Sequence, residues 1–158
     1  MHKILCVDDE SNVLDGLRRI LFEDYDVEAV TSGAEALELM QDEEFACIIS
    51  DMRMPEMNGA EFLSKARQIA PDTTRMLLTG QSDMESAISA INDGNIFRFL
   101  MKPCPEEKLL GHMSEAIRLY ELTKAEKDLL ENTLKGAITV LTDMLSMIAS
   151  GRIRRMLS

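Results

Sequence analysis

The stretch Phe45-Ala46-Cys47-Ile48-Ile49-Ser50-Asp51-Met52-Arg53-Met54-Pro55-Glu56-Met57-Asn58-Gly59 decides how this chain folds. Phe45–Ser50 is an apolar run without alternation of period two, the pattern of a parallel strand covered on both faces. An acidic residue, Asp51, ends the run. Pro55 and Asn58-Gly59 then mark a turn. Beyond it Phe62, Leu63, Ala66 and Ile69 recur at helical spacing. A buried strand, a turn and an amphipathic helix make half of a crossover unit.

The same unit is legible on either side. Apolar runs recur at Ile4–Val7, Val27–Val30, Arg75–Thr79 and Phe97–Met101. Helical spacing links Val13, Leu14, Leu17, Ile20 and Leu21, then Ala34, Leu37 and Met40, and later Met84, Ala87, Ile88 and Ile91. Thr31-Ser32-Gly33, Pro71-Asp72 and Asp93-Gly94-Asn95 supply the remaining turns. Strands that alternate with helices must pair in parallel, because each connection crosses over the sheet. The expected fold is therefore α/β, a five-stranded doubly wound parallel sheet of flavodoxin-like order 2-1-3-4-5, over residues 1–120.

After Glu106 a further helix is marked by Leu109, Leu110, Met113, Ala116, Ile117 and Tyr120. The charged stretch Lys124-Ala125-Glu126-Lys127-Asp128 follows, and then Leu130, Leu134, Ile138, Leu141, Leu145 and Ile148. From Leu134 these residues step by four and three, the seam of a short coiled coil or bundle. Residues 121–158 are thus expected to be a helical or coiled-coil linker, weakened by about 1 kcal/mol at Gly136 and capped by Gly151.

Composition narrows the function. Of 158 residues 46% are hydrophobic, enough for a core, and the formal net charge of −11 disfavours direct nucleic-acid binding. Arg152, Arg154 and Arg155 are read as a solvated basic end. No apolar run approaches the ~20 residues of a membrane span, and the amino terminus lacks the pattern of a secretory signal. A cytoplasmic protein is expected. Cys6, Cys47 and Cys104 form no CxxC pair, and His2 and His112 lie far from them, so a zinc site is not expected.

Ligands of a doubly wound sheet bind beyond the carboxyl ends of its strands. There the chain sets Asp8-Asp9-Glu10, Asp51, Thr79 and Lys102. Each has a plain structural explanation: Asp8 and Asp9 as helix caps, Asp51 and Thr79 as turn formers, Lys102 as a solvated surface charge. Their joint occurrence at one end of neighbouring strands argues for a site, since structural needs would scatter them over both ends. Two carboxylates ~4 Å apart repel by roughly 4 kcal/mol at an effective dielectric near 20, so the cluster calls for a cation. A hard divalent ion such as Mg²⁺ fits oxygen ligands. Lys102 and Thr79 suit phosphoryl oxygens, which leaves Asp51 as nucleophile.

The chain resembles the bacterial two-component response-regulator receivers over residues 1 to about 120. The blocks that carry the resemblance are Ile4-Leu5-Cys6-Val7-Asp8-Asp9-Glu10, Ser50-Asp51-Met52-Arg53-Met54-Pro55-Glu56-Met57-Asn58-Gly59, Leu78-Thr79-Gly80 and Phe99-Leu100-Met101-Lys102-Pro103. The resemblance implies that Asp8, Asp9, Asp51 and the Arg53 backbone carbonyl hold Mg²⁺, the Arg53 side chain being immaterial. It implies that Asp51 accepts the phosphoryl group, that Thr79 and Lys102 assist, and that Thr79 and Phe99 form the switch. It also implies a cis Lys102–Pro103 bond. The implied donor is a histidine kinase or phosphotransfer protein. The implied response is a change in the face of the fourth helix, fifth strand and fifth helix, passed to the carboxyl-terminal helix. A homodimer through that helix, the receiver face or both is expected.

The stretches Leu77–Asp83 and Ala90–Leu100 look like a subgroup often joined to HD-type phosphohydrolase outputs, and Leu130–Ile138 like the leading helix of one. No His-Asp metal motif follows in these residues, so either the chain is part of a longer regulator, the preferred expectation, or the carboxyl-terminal helix is itself the output. Whether a self-phosphorylating receiver counts as an enzyme is partly a matter of definition. Rival readings fit less well. A haloacid-dehalogenase phosphohydrolase would want a second Asp where Arg53 stands, and an FMN carrier would want a Ser/Thr/Gly-rich loop where Asp8-Asp9-Glu10 stands. A pseudo-receiver that only binds partners stays open.

Overall fold

The computed structural model describes residues 1–94 and 96–150, the side chains of 90–94 excepted. Ile91 as a face-marking residue, the turn through Asn95, the Gly151 cap and the Arg152, Arg154 and Arg155 end lie outside what is described. Five strands, β1 (Lys3–Val7), β2 (Asp26–Val30), β3 (Cys47–Asp51), β4 (Thr74–Thr79) and β5 (Arg98–Met101), form one sheet in the order β2-β1-β3-β4-β5. Every pairing is parallel. The helices are α1 (Ser11–Leu21), α2 (Gly33–Asp42), α3 (Gly59–Ile69), α4 (Met84–Gly94) and α5 (Glu106–Ala149). The doubly wound fold expected from the sequence is the fold observed.

Both faces of the sheet are covered, and successive residues of β1 divide between them. Ile4 and Cys6 join Leu14, Leu17 and Leu21 of α1 and Leu109, Met113, Ala116 and Ile117 of α5 in one core cluster. Leu5 and Val7 join Ala36 and Met40 of α2, Phe62, Leu63 and Ala66 of α3, and Ala87 of α4 in the other. Side chains of a strand alternate between faces, so a strand with helices on both must be apolar throughout. β3 and β4 are buried along their whole length, whereas the outer strands β2 and β5 are only partly covered. Cys6 and Cys47 are free and fully buried core residues, and burial pushes the Cys6 thiol up to about 12.

Local chemistry sets the helix starts. Ser32 Oγ accepts from Glu35 N at 3.2 Å, and Asn58 Oδ1 accepts from Glu61 N at 2.9 Å. Each cap satisfies a backbone donor that the first turn leaves unpaired. Gly59, the first residue of α3, sits so close to β3 that a Cβ there would lie 2.2 Å from the Asp51 carbonyl oxygen. Only glycine permits that approach.

The chain divides into two compact units, Met1–Glu121 and Leu122–Ser158. In the second, Leu130, Leu134, Ile138, Leu141, Leu145 and Ile148 are all exposed. The hydroxyls of Thr133, Thr139 and Thr142 donate to the carbonyls of Leu129, Lys135 and Ile138, four residues back. Such bonds let threonine sit inside a helix with its hydroxyl satisfied. Among the described residues no helix is long and apolar enough to cross a membrane.

Candidate functional site

The site is built from the strand ends. β1 and β3 are neighbours, and so are β3 and β4 and β4 and β5, so the residues after Val7, at Asp51, at Thr79 and after Met101 open at one end of the sheet. Asp8 is buried, and its Oδ1 accepts from Glu10 N at 2.9 Å. That bond turns the chain into α1 and leaves Oδ2 facing inward. Asp51, also buried, ends β3; its loop is held by Met52 N donating to Leu78 O at 3.0 Å and Gly59 N to Met52 O at 2.8 Å. Asp9 is exposed at the rim.

Lys102 reaches across from β5. Its Nζ lies 2.8 Å from Asp51 Oδ1 and 3.5 Å from Asp8 Oδ2. Its backbone amide donates to Thr79 O at 2.9 Å, which ties the lysine to the end of β4. The Lys102–Pro103 bond is cis. Asp8, Asp9 and Asp51 each offer a carboxylate oxygen, and those atoms all lie within 4.8 Å of one another. Thr79 is fully buried, and its hydroxyl donates to Gly80 O at 3.1 Å rather than to the cluster. Phe99 is half-buried beside the core cluster on the α2–α3–α4 face.

Electrostatics shows a site short of positive charge. Burial first, then the charge of Asp51, pushes the Asp8 carboxyl up to about 6, although the Glu10 amide and Lys102 oppose the rise. Burial also raises Asp51, with Asp9 adding to it and Lys102 opposing. Burial alone would lower Lys102, but Asp51 and Asp8 outweigh it and hold the ammonium above its usual range. One lysine does not balance three carboxylates. Asp8 Oδ2, though within ion-pair range of Lys102, has no hydrogen-bond partner. An all-oxygen donor set with an unpartnered buried carboxylate oxygen fits a hard divalent cation such as Mg²⁺. The rest of the site offers a nucleophilic oxygen and a fixed ammonium, an arrangement suited to a phosphoryl group in transfer.

Thus the structure brings together Asp8, Asp9, Asp51 and Lys102. Thr79 joins them through its backbone, and Phe99 lies on the same strand as Lys102's neighbour Met101. The Arg53 side chain is the surprise. Its Nη2 lies 2.6 Å from Asp83 Oδ1, on the short 3-10 turn Gln81–Asp83 that follows Thr79. The family resemblance gives a role to the Arg53 backbone carbonyl alone and none to the Asp83 side chain. The available signal was opposite charges on loops leaving adjacent strands.

Comparison with known proteins agrees with this geometry. Residues 4–114 match the model of the response regulator receiver domain. The hydrogenase transcriptional regulatory protein HoxA of Bradyrhizobium diazoefficiens is 37% identical over 121 residues, covering 77% of this chain and 25% of that protein. The chain therefore spans about a quarter of the length of that relative. Among solved structures, the signal receiver domain of an HD domain-containing protein from Pseudomonas fluorescens Pf-5 superposes with a TM-score of 0.73 at 33% identity, covering 80% of this chain and 92% of that one. A structure described as adenylate cyclase from Rhodopirellula baltica superposes with a TM-score of 0.79 at 39% identity, covering 82% and 97%.

Proposed function

The chain belongs to the response regulator receiver domain family, and on that premise we propose that the Asp51 carboxylate accepts a phosphoryl group in a site charged with Mg²⁺. Asp8, Asp9, Asp51 and the Arg53 backbone carbonyl would hold the ion, which supplies charge neutralisation for the phosphoryl oxygens when bound. The observation that carries this reading is the pairing of Asp51 Oδ1 with Lys102 Nζ at 2.8 Å inside a carboxylate cluster that leaves Asp8 Oδ2 unpartnered.

Receivers take their phosphoryl group from histidine kinases or phosphotransfer proteins. In that step an Asp51 oxygen attacks phosphorus, the P–N bond to the donor imidazole breaks, and its electron pair leaves with the ring. Lys102 Nζ stands beside Asp51 Oδ1 of the attacking carboxylate and keeps a fixed positive charge next to the incoming group. Val13, Leu17, Ile20, Pro103 and Leu109 line an apolar groove of about 410 Å³ that also touches Lys102. A donor helix seated there would present its imidazole at the carboxyl end of the sheet.

The product carries roughly two negative charges and three acceptor oxygens. Thr79 would exchange its bond to Gly80 for one to the phosphoryl group, moving the turn before α4. Phe99, lacking a phenolic hydroxyl, would respond by burial alone. The changed α4–β5–α5 face then alters self-association, as a homodimer through that face, the carboxyl-terminal helix or both. Residues 121–158 serve in this reading as a helical linker to an output, for which an HD-type phosphohydrolase is the leading choice, and the setting is cytoplasmic.

Intact mass after incubation with acetyl phosphate and Mg²⁺ tests the proposal. The wild type gains one phosphoryl, the gain is lost with chelator, and Asp51→Asn gains none. A wild type that stays unlabelled and also binds no beryllofluoride would instead be an interaction module.

A further inference from the structure

Two loops leave the carboxyl end of the sheet side by side. One follows β3 and carries Arg53; the other follows β4 and carries Asp83. The first is tied to β4 by Met52 N donating to Leu78 O at 3.0 Å, and the second closes on itself, Asp83 N donating to Gly80 O at 3.1 Å. Arg53 Nη2 and Asp83 Oδ1 close the gap at 2.6 Å, thirty residues apart in the chain. The partners are unequal: the Asp83 side chain is 19% exposed and that of Arg53 76%. The carboxylate is thus the enclosed, fixed member and the guanidinium the one with room to swing.

As a source of stability this pair is minor, because exposed ion pairs contribute little. Its placement gives it another use. It joins the loop of the phosphoacceptor, Asp51, to the turn directly after Thr79. Without a phosphoryl group, Asp83 is the anion that Arg53 serves. A phosphoryl group on Asp51 brings a doubly charged acceptor two residues from Arg53, and a guanidinium can match phosphate oxygens with two parallel hydrogen bonds.

Resting on the phosphoacceptor reading, we propose that the Arg53–Asp83 pair is a latch: Asp83 withholds the Arg53 guanidinium from the phosphoryl position. Transfer of that guanidinium to the phosphoryl oxygens frees the turn after Thr79. Arg53 is then a phosphoryl-binding residue in the product, and Asp83 is a positioning residue that sets how readily the product state forms. The loss of the Arg53–Asp83 bond and the movement of Thr79 become parts of one event.

The test is calorimetric titration of the full chain with beryllofluoride in Mg²⁺. It compares the wild type, Asp83→Asn, Arg53→Gln and the double variant, with urea melts to show that all four fold alike. Removing the competing carboxylate in Asp83→Asn should tighten binding by about two- to fivefold, the range of an exposed ion pair. The gain should shrink at high salt and vanish in the Arg53→Gln background, because no guanidinium remains to release. Unchanged affinity in Asp83→Asn overturns the latch. So does an equal gain with and without Arg53, since that is the field effect of deleting any nearby carboxylate. If the wild type itself binds no beryllofluoride, the phosphoacceptor reading fails and takes the latch with it.

Discussion

At the amino end of β4, buried polar side chains give their hydrogens to backbone carbonyls. Thr73 Oγ1 donates to Phe45 O at 2.7 Å, Thr74 Oγ1 to Ala116 O at 3.0 Å, and Arg75 Nη1 to Thr73 O at 3.0 Å. At the carboxyl end of the same sheet the buried charges face one another, and Asp8 Oδ2 is left without a hydrogen bond. A buried polar group needs a partner unless something else compensates it. The amino end meets that need from within the chain and is architecture. The carboxyl end leaves it open, which is what a site for a cation and a phosphoryl group requires.

Substitutions at the two ends should therefore differ in kind. The largest effect is expected at Gly59, where an added Cβ would meet the Asp51 carbonyl oxygen at 2.2 Å and its carbon at 2.9 Å. Gly59→Ala should cost about 3 kcal/mol or more in urea melts, through overpacking against a fixed strand. It should also slow acetyl-phosphate labelling, because the Asp51 loop must move. At the amino end, Arg75→Met should cost roughly 2 kcal/mol by stranding buried carbonyls, with the labelling rate of the folded protein unchanged. A labelling defect there would blur the division between the two ends.

Asp8→Asn should act in the opposite sense. With chelator present at pH 7.5 it should stabilise the fold by about 1 kcal/mol, the low end of what an imperfectly paired buried charge costs, while removing Mg²⁺ binding. The wild type supplies the matching pH test. The Asp8 carboxyl is raised to about 6, above its unfolded value, so its charged form burdens the folded state above that pH. The burden is relieved as pH falls through about 6. Mg²⁺ relieves the same burden, so its stabilising effect in thermal melts should be clear at pH 7.5 and smaller at pH 5.5. An increment independent of pH would place the ion elsewhere.

Much of this was legible from residues alone. Ile4–Val7, Phe45–Ser50 and Arg75–Thr79 announced buried strands because strands covered on both faces cannot alternate. The ends of those runs, together with that of Phe97–Met101, named Asp8, Asp51, Thr79 and Lys102, and topology alone brought them to one end of the sheet. The rest depended on three dimensions. Nothing local says that Arg75, which opens an apolar run, spends its guanidinium on loop carbonyls, or that β2 and β5 are half-covered because they lie outermost. The charged stretch Lys124–Asp128 shows no seam, yet α5 runs through it to Ala149. The Arg53–Asp83 pair spans thirty residues and two loops, and only the adjacency of β3 and β4 brings it together.

The central claim is that the unsatisfied carboxyl end accepts a phosphoryl group at one atom set. Its most direct test is to label the chain with acetyl phosphate and Mg²⁺, reduce it with borohydride, and map the peptides by mass. An acyl phosphate on Asp51 is reduced to homoserine at that position alone, and this is the expected result. Reduction at Asp8 or Asp9, or label held on a histidine, would contradict the assignment of Asp51 as the acceptor.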